Sequence, residues 1–142
     1  PKGQRGVCRY VRAAGYSKTE KQDYFRQANE AVIILQIEGR TGLDNIDAIL
    51  DVGGFDILFV GPYDLSQSLG VPGQIDHPQV TAAVRKIAAK CARRRIAAGT
   101  FSDTADQSRA WIRHGLRYIS CSVDVGIFYQ AAAALRRQLG NK

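Results

Sequence analysis

What most constrains this chain is a change of period that recurs four times: a short apolar run, then a stretch with apolar residues every three or four positions. The runs are AVIILQIE at 31–38, Phe55 to Val60, Ile96 to Phe101 and YISCSV at 118–123. Such β-branched runs fit strands of a buried parallel sheet. Between them, Leu43, Ile46, Ile49 and Leu50 restore helical spacing. Val80, Val84, Ile87, Ala88 and Cys91 share one helical face behind an Asp76-His77-Pro78 start, where proline suits the first turn. Asp103 is expected to cap a helix through Trp111 to His114, stopped at Gly115, and a last helix is expected from Ile127 to Leu139, stopped at Gly140. Ahead of the first run, Ser17 and Glu20 have capping-box spacing, followed by a stripe of Tyr24, Phe25 and Ala28. Each crossover must return the chain to the same end of the sheet, so four βα units predict parallel strands. A doubly wound sheet and part of a (β/α)8 barrel both fit. A barrel built from 142 residues would be incomplete, since complete ones need about 250. No linker or low-complexity segment interrupts the chain, and residues 1–142 are expected to form one domain.

No apolar run approaches the roughly 20 residues that span a bilayer, and the N-terminal PKGQRG lacks a signal-peptide core, so a cytoplasmic protein without a membrane partner is expected. The net charge of +7 raises a nucleic-acid reading. The densest cluster, Arg93 to Arg95, falls at an expected helix C-terminus, where the helix dipole favours cations. The other cations are scattered along helices without interleaved aromatic residues, so a solvated basic surface is expected and nucleic acid is not. Cys8, Cys91 and Cys121 are odd in number and far apart, which predicts buried, reduced thiols and neither disulfides nor a zinc site. His77 and His114 stand at a helix start and a helix end, where capping or surface roles are expected.

In parallel α/β folds, ligands sit beyond the C-terminal ends of the strands. The residues there are Gln36 and Glu38, then Gly61, Pro62 and Asp64, then Gly99 to Phe101, then Ser122 and Asp124. Gln36 and Glu38 are two apart in one strand and face the same side. Glu38 and Asp64, at the ends of successive strands, are placed to converge as an all-oxygen site of the kind Mg²⁺ or Mn²⁺ prefers. A structural alternative stays open: Glu38 caps the next helix or pairs with Arg40, and Asp64 caps a turn. Proline has no N–H and glycine admits close approach, so Gly61-Pro62 makes a stiff, unobstructed strand exit. Beyond it, the N–H groups of Tyr63 and Asp64 would open the short segment DLSQSL and could hold a small carboxylate.

QIEGR (36–40), LDNIDAILDVGGFDILFVGPYDLSQSLG (43–70), HPQV (77–80) and YISCSVD (118–124), with Arg5-Gly6 and YFRQAN (24–29), resemble the HpcH/HpaI aldolases, metal-dependent class II pyruvate aldolases. The resemblance covers essentially the whole chain and implies strands five to eight of a (β/α)8 barrel. It implies Glu38 and Asp64 as ligands of Mg²⁺, Mn²⁺ or Co²⁺, and Gln36 as the residue that orients the bound keto acid and the metal's water. Tyr63 then contacts the substrate carboxylate through its backbone N–H, and Phe101 lines the substrate pocket where the family often has an aliphatic residue. Gly61 and Pro62 complete the substrate-binding set. The implied reaction is aldol cleavage of a 4-hydroxy-2-oxo acid to pyruvate and an aldehyde. No lysine lies in the four expected strands, in agreement with a metal and not a Schiff base. The family's catalytic His and its keto-acid Arg lie in the other barrel half, and neither His77 nor His114 matches. The chain is therefore expected to be a piece of such an enzyme, or one barrel half completed by another chain. Homo-oligomers, hexamers in the family, are implied, with AAAALRRQLG (131–140) packed on a neighbour. The alternatives are a non-catalytic half-barrel that binds metal and keto acid or serves in assembly, and a CoA-thioester lyase of the same superfamily.

Overall fold

The computed structural model describes residues 6–140, so Arg5 of the Arg5-Gly6 match lies outside it. The chain divides into two compact units, Pro1–Val32 and Ile33–Lys142. In the first, a 3-10 segment at Arg12–Ser17 leads to helix α1 (Lys21–Gln27). The expected capping box is shifted. Glu20 itself is the N-cap, its carboxylate accepting from the backbone N–H of Gln22 and Asp23, whereas Ser17 sits at φ 72, which an N-cap cannot adopt. The Tyr24 and Phe25 rings meet at 5.5 Å, but no residue of α1 is buried.

The second unit runs β1 (Ile34–Ile37), α2 (Arg40–Asp44), α3 (Ile46–Val52), β2 (Ile57–Val60), α4 (Pro62–Ser68), α5 (Pro78–Arg93), β3 (Ala97–Ser102), α6 (Ala105–Arg113), β4 (Tyr118–Cys121) and α7 (Asp124–Leu139). The four strands form one parallel sheet in the order β1-β2-β3-β4, as the alternation predicts. Register sorts their side chains into two faces. Ile37, Val60, Thr100 and Ile119 form one row, directed at the helices, and Gln36, Phe59, Gly99 and Tyr118 form the adjacent row on the opposite face. The helix side holds the core. Leu58, Val60, Leu65, Val80, Val84, Ile87, Cys91 and Trp111 are buried there, so the predicted stripe of α5 is its core face.

Several boundaries move. The first run pairs only from Ile34, because β2 begins at Ile57; before that point Ile33 is tied to Asp56 through its N–H (2.8 Å) and its carbonyl (2.9 Å). The helical spacing at 43–50 is broken at Asn45 (φ −97°, ψ 15°), giving two short helices. Thr104, and not Asp103, caps α6, its hydroxyl accepting from Gln107 N–H at 3.2 Å. The fourth strand ends at Cys121, since Ser122 turns to φ 60, and α7 starts at Asp124. No residue of α7 is buried, and Phe128, Tyr129, Leu135 and Leu139 stand exposed. The open sheet face carries an edge-on contact of Phe59 with Tyr118 at 6.0 Å. Beside it, a Cβ on Gly99 would lie 2.8 Å from the Tyr118 carbonyl oxygen, so only glycine fits.

The three cysteines are free, but only Cys91 is buried; Cys8 and Cys121 are exposed, the latter on an edge strand. Burial pushes the Cys91 thiol up to about 11. No helix among the described residues is long and apolar enough to cross a membrane.

Candidate active site

The pleat places Gln36 and Glu38 on the open face at the C-terminal end of β1, where the Gln36 side-chain amide donates to Glu38 Oε2 at 2.5 Å. Both lean on the exit of the neighbouring strand. A Cβ on Gly61 would lie 3.0 Å from Gln36 Nε2, 3.0 Å from Glu38 Cβ and 3.2 Å from Glu38 Oε2. Gly61 is therefore the residue that lets the pair reach the β2 exit. Its own N–H donates to the Ile37 carbonyl at 3.0 Å, extending the ladder by one step and fixing the two strand ends together.

From that exit Pro62 opens α4 at its first position, with Gly61 as N-cap. Pro62 is buried and Asp64, two residues on, is exposed in the first turn. The structural alternatives for the two carboxylates do not hold. Asp64 is inside α4 and caps nothing, α2 has Gly39 at its N-cap without a side-chain bond, and no ion pair among the described residues involves Glu38, Arg40 or Asp64. Glu38 and Asp64 thus stand at the ends of adjacent parallel strands, on either side of Gly61-Pro62. No three His, Cys, Asp or Glu gather among the described residues, so a cation held here would take two carboxylates and complete its shell from water or substrate. The donor set is all oxygen and fits a hard divalent ion.

A further group at the same end was not anticipated as such. Tyr63 donates its hydroxyl to the Asp103 carboxylate, and its ring lies tilted against Phe101 at 6.3 Å. This bond to Asp103, then burial and the negative charges of Asp103 and Asp76, push the Tyr63 phenol up to about 12. Asp103 N–H is held by Gln107 Oε1 at 2.9 Å, and Gln107 in turn donates to Asp76 at 3.3 Å. Asp103 lies two residues beyond Phe101 and so continues its side of the chain; that spacing was the signal for it. The histidines are elsewhere. His77 caps α5, its Nδ1 accepting from Gln79 N–H at 3.3 Å, and His114 closes α6.

Curated relatives are named as aldolases. The 5-keto-4-deoxy-D-glucarate aldolase of Klebsiella pneumoniae is 35% identical over 136 residues, which are 95% of this chain and 52% of that one. The 2-keto-3-deoxy-L-rhamnonate aldolase of Escherichia coli is 36% identical over 133 residues, 92% of this chain and 49% of that one. The chain therefore spans about half the length of the curated relatives it matches. Among solved structures, an HpcH/HpaI aldolase/citrate lyase family protein from Burkholderia cenocepacia superposes with a TM-score of 0.84 at 34% identity, covering 99% of this chain and 55% of that one. The parallel sheet described above is thus an unclosed part of the barrel of that family. The family profile described as HpcH/HpaI aldolase/citrate lyase matches residues 4–131, and the chain belongs to that family.

Proposed function

We propose that this chain supplies the metal-binding half of a divalent-metal pyruvate aldolase, which cleaves a 4-hydroxy-2-oxo acid to pyruvate and an aldehyde. The observation that carries this reading is the Gln36–Glu38 pair leaning on Gly61 at the very strand end from which Asp64 emerges. In it, residues 1–142 act as one domain, working in the cytoplasm on a small-molecule 2-oxo acid as a homo-oligomer.

Glu38 and Asp64 would hold Mg²⁺, Mn²⁺ or Co²⁺, whose positive charge stabilises the enolate oxygen formed as the carbon–carbon bond breaks. The 2.5 Å bond from Gln36 fixes the Glu38 carboxylate and leaves the second amide hydrogen of Gln36 for the keto acid or a water. Gly61 and Pro62 keep the approach free of side chains, and the Tyr63 N–H, in the first turn of α4, is free to donate to the substrate carboxylate. Phe101, with the Tyr63 ring against it, walls the side from which the aldehyde portion enters. Proton transfer and neutralisation of the keto acid would come from a His and an Arg on a complementary barrel half.

A second reading is binding of metal and keto acid without turnover. It is favoured by the histidines, both of which serve helix ends and neither of which stands at a strand exit. Calorimetric titration of Mn²⁺ in the presence of pyruvate tests the shared core of both readings. Native chain is expected to bind, and Glu38→Gln and Asp64→Asn are each expected to weaken binding by 10-fold or more, since each removes an anionic ligand. Unchanged affinity in both variants would overturn the site. Release of pyruvate from a 4-hydroxy-2-oxo acid, lost on chelation, separates the aldolase from the binding module.

A further inference from the structure

Helix α5 is asymmetric in charge. On the side toward α3, Lys90 meets Asp47 at 2.5 Å, and Arg94 meets Asp51 at 2.8 Å and Asp47 at 3.3 Å. On the side toward α6 the cations have no such partners. A cleft of about 560 Å³ opens there, lined by Ala82, Ala88, Ala89 and Ala92 together with Arg85, Lys86, Arg113 and His114. It shares Ala88, Ala92 and Gly115 with a second cavity of about 450 Å³, which adds Arg95 and Arg117. No carboxylate lines either, and none of these five Arg and Lys side chains takes part in an ion pair among the described residues.

The bland explanation is a solvated surface with cations complementing helix C-termini. It covers Arg113, in the last turn of α6, but the dipole's influence fades within one turn. Arg85 and Lys86 lie about two turns before the end of α5 at Arg93 and gain nothing from it. Arg95 is held at φ 58, in the left-handed position after a helix where glycine is the usual residue, at a cost of about 1 kcal/mol. A charged side chain is thus kept at the adjoining second cavity in a conformation that an uncharged glycine would adopt without strain.

We propose that this cleft binds a small, non-nucleotide ligand carrying two or more phosphate groups. One phosphate, with a charge of about −2, leaves most of five cations unneutralised, whereas two or three groups balance them. The cleft has the size of a small-molecule site. No Phe, Tyr or Trp lines it, and its one ring, His114, is already packed against Trp111 at 6.0 Å, so it offers a nucleobase no stacking platform. Arg95 and Arg117 precede β3 and β4, which puts this site at the strand ends opposite Glu38 and Asp64, and both can be filled at once.

The test is calorimetric titration of inorganic tripolyphosphate into the 142-residue chain, without divalent metal, at physiological ionic strength. It is independent of the metal and keto-acid reading. The native chain is expected to show saturable one-to-one binding. Arg85→Gln with Arg113→Gln should weaken it by about 10-fold or more, for two lost charge-assisted contacts. Arg136→Gln with Arg137→Gln, removing the same charge from α7, should change it less than about twofold. Circular dichroism of each pair verifies the fold, and Lys86→Gln is the substitute should the first pair unfold. Equal weakening by both pairs, or no saturation by the native chain, overturns the proposal. So does displacement of tripolyphosphate by lower concentrations of polyglutamate or single-stranded RNA, which would assign the face to a macromolecule.

Discussion

Tyr63 shows how much one side chain can join. Its backbone lies in the turn that carries Asp64, its ring packs on Phe101, and its hydroxyl is anchored on Asp103. The anchor has a pH signature. The phenol is raised from 10.0 to about 12, so the folded state retains the proton more tightly than the unfolded chain. Its contribution to stability is complete below pH 10 and disappears as pH climbs to 12. Because the side chain is partly solvated, that contribution is below about 1 kcal/mol. Chemical denaturation at pH 8 and at pH 11.5 should therefore find Tyr63→Phe less stable than the native chain at the lower pH, with most of that deficit gone at the higher. The buried Cys91 thiol titrates in an overlapping range but is common to both proteins, so the comparison removes it. At this scale the sequence was readable where the end of a strand fixes a residue's position. Gln36, Glu38, Gly61 and Asp64 stand where strand ends place them. Asp103 was misread as a cap, because a carboxylate before a helix satisfies that pattern and the competing partner, Tyr63, is 40 residues away.

Between elements, β3 lies too close to β4 at Gly99 to admit a Cβ, which would stand 2.8 Å from the Tyr118 carbonyl oxygen. A methyl group there meets backbone, which cannot rotate aside as a side chain can. Gly99→Ala should therefore destabilise the chain by about 1–3 kcal/mol and loosen the β4 pairing, seen as a lower urea midpoint and faster amide exchange at Ile119 and Cys121. The order and direction of the strands were legible because every apolar run is followed by helical sequence before the next. Their ends were less so. Where β1 begins depends on where β2 offers partners, and the break at Asn45 comes from backbone angles that side-chain spacing does not encode.

The molecule as a whole presents apolar surface on α7 that no described residue covers. In the homo-oligomer proposed above this helix would be covered by a second copy. Phe128→Glu with Leu135→Glu should then raise the dissociation constant of the assembly at least about 10-fold, given some 1.5–3 kcal/mol for each large apolar side chain taken out of water. Sedimentation velocity across a dilution series measures it; an unchanged distribution of species would show that α7 faces something else. The alternation of periods limited the architecture to a doubly wound sheet or part of a barrel, and the strand-end motifs chose the barrel family. Which surfaces meet other chains is not written in periodicity, since an exposed stripe and a core stripe have the same spacing.

The single tryptophan of the chain has a practical bearing on all these measurements. Trp111 is buried on the core side of α6, its ring tilted against that of His114 at 6.0 Å, and its indole N–H has no acceptor among the described residues. Its emission will be blue-shifted, and it will report melting of the α5–α6 core while remaining silent about α7 and the open face of the sheet. A fluorescence transition and a helix-sensitive signal such as far-ultraviolet dichroism would therefore separate whenever α7 frays first, making the two probes a built-in gauge of whether the last helix is docked.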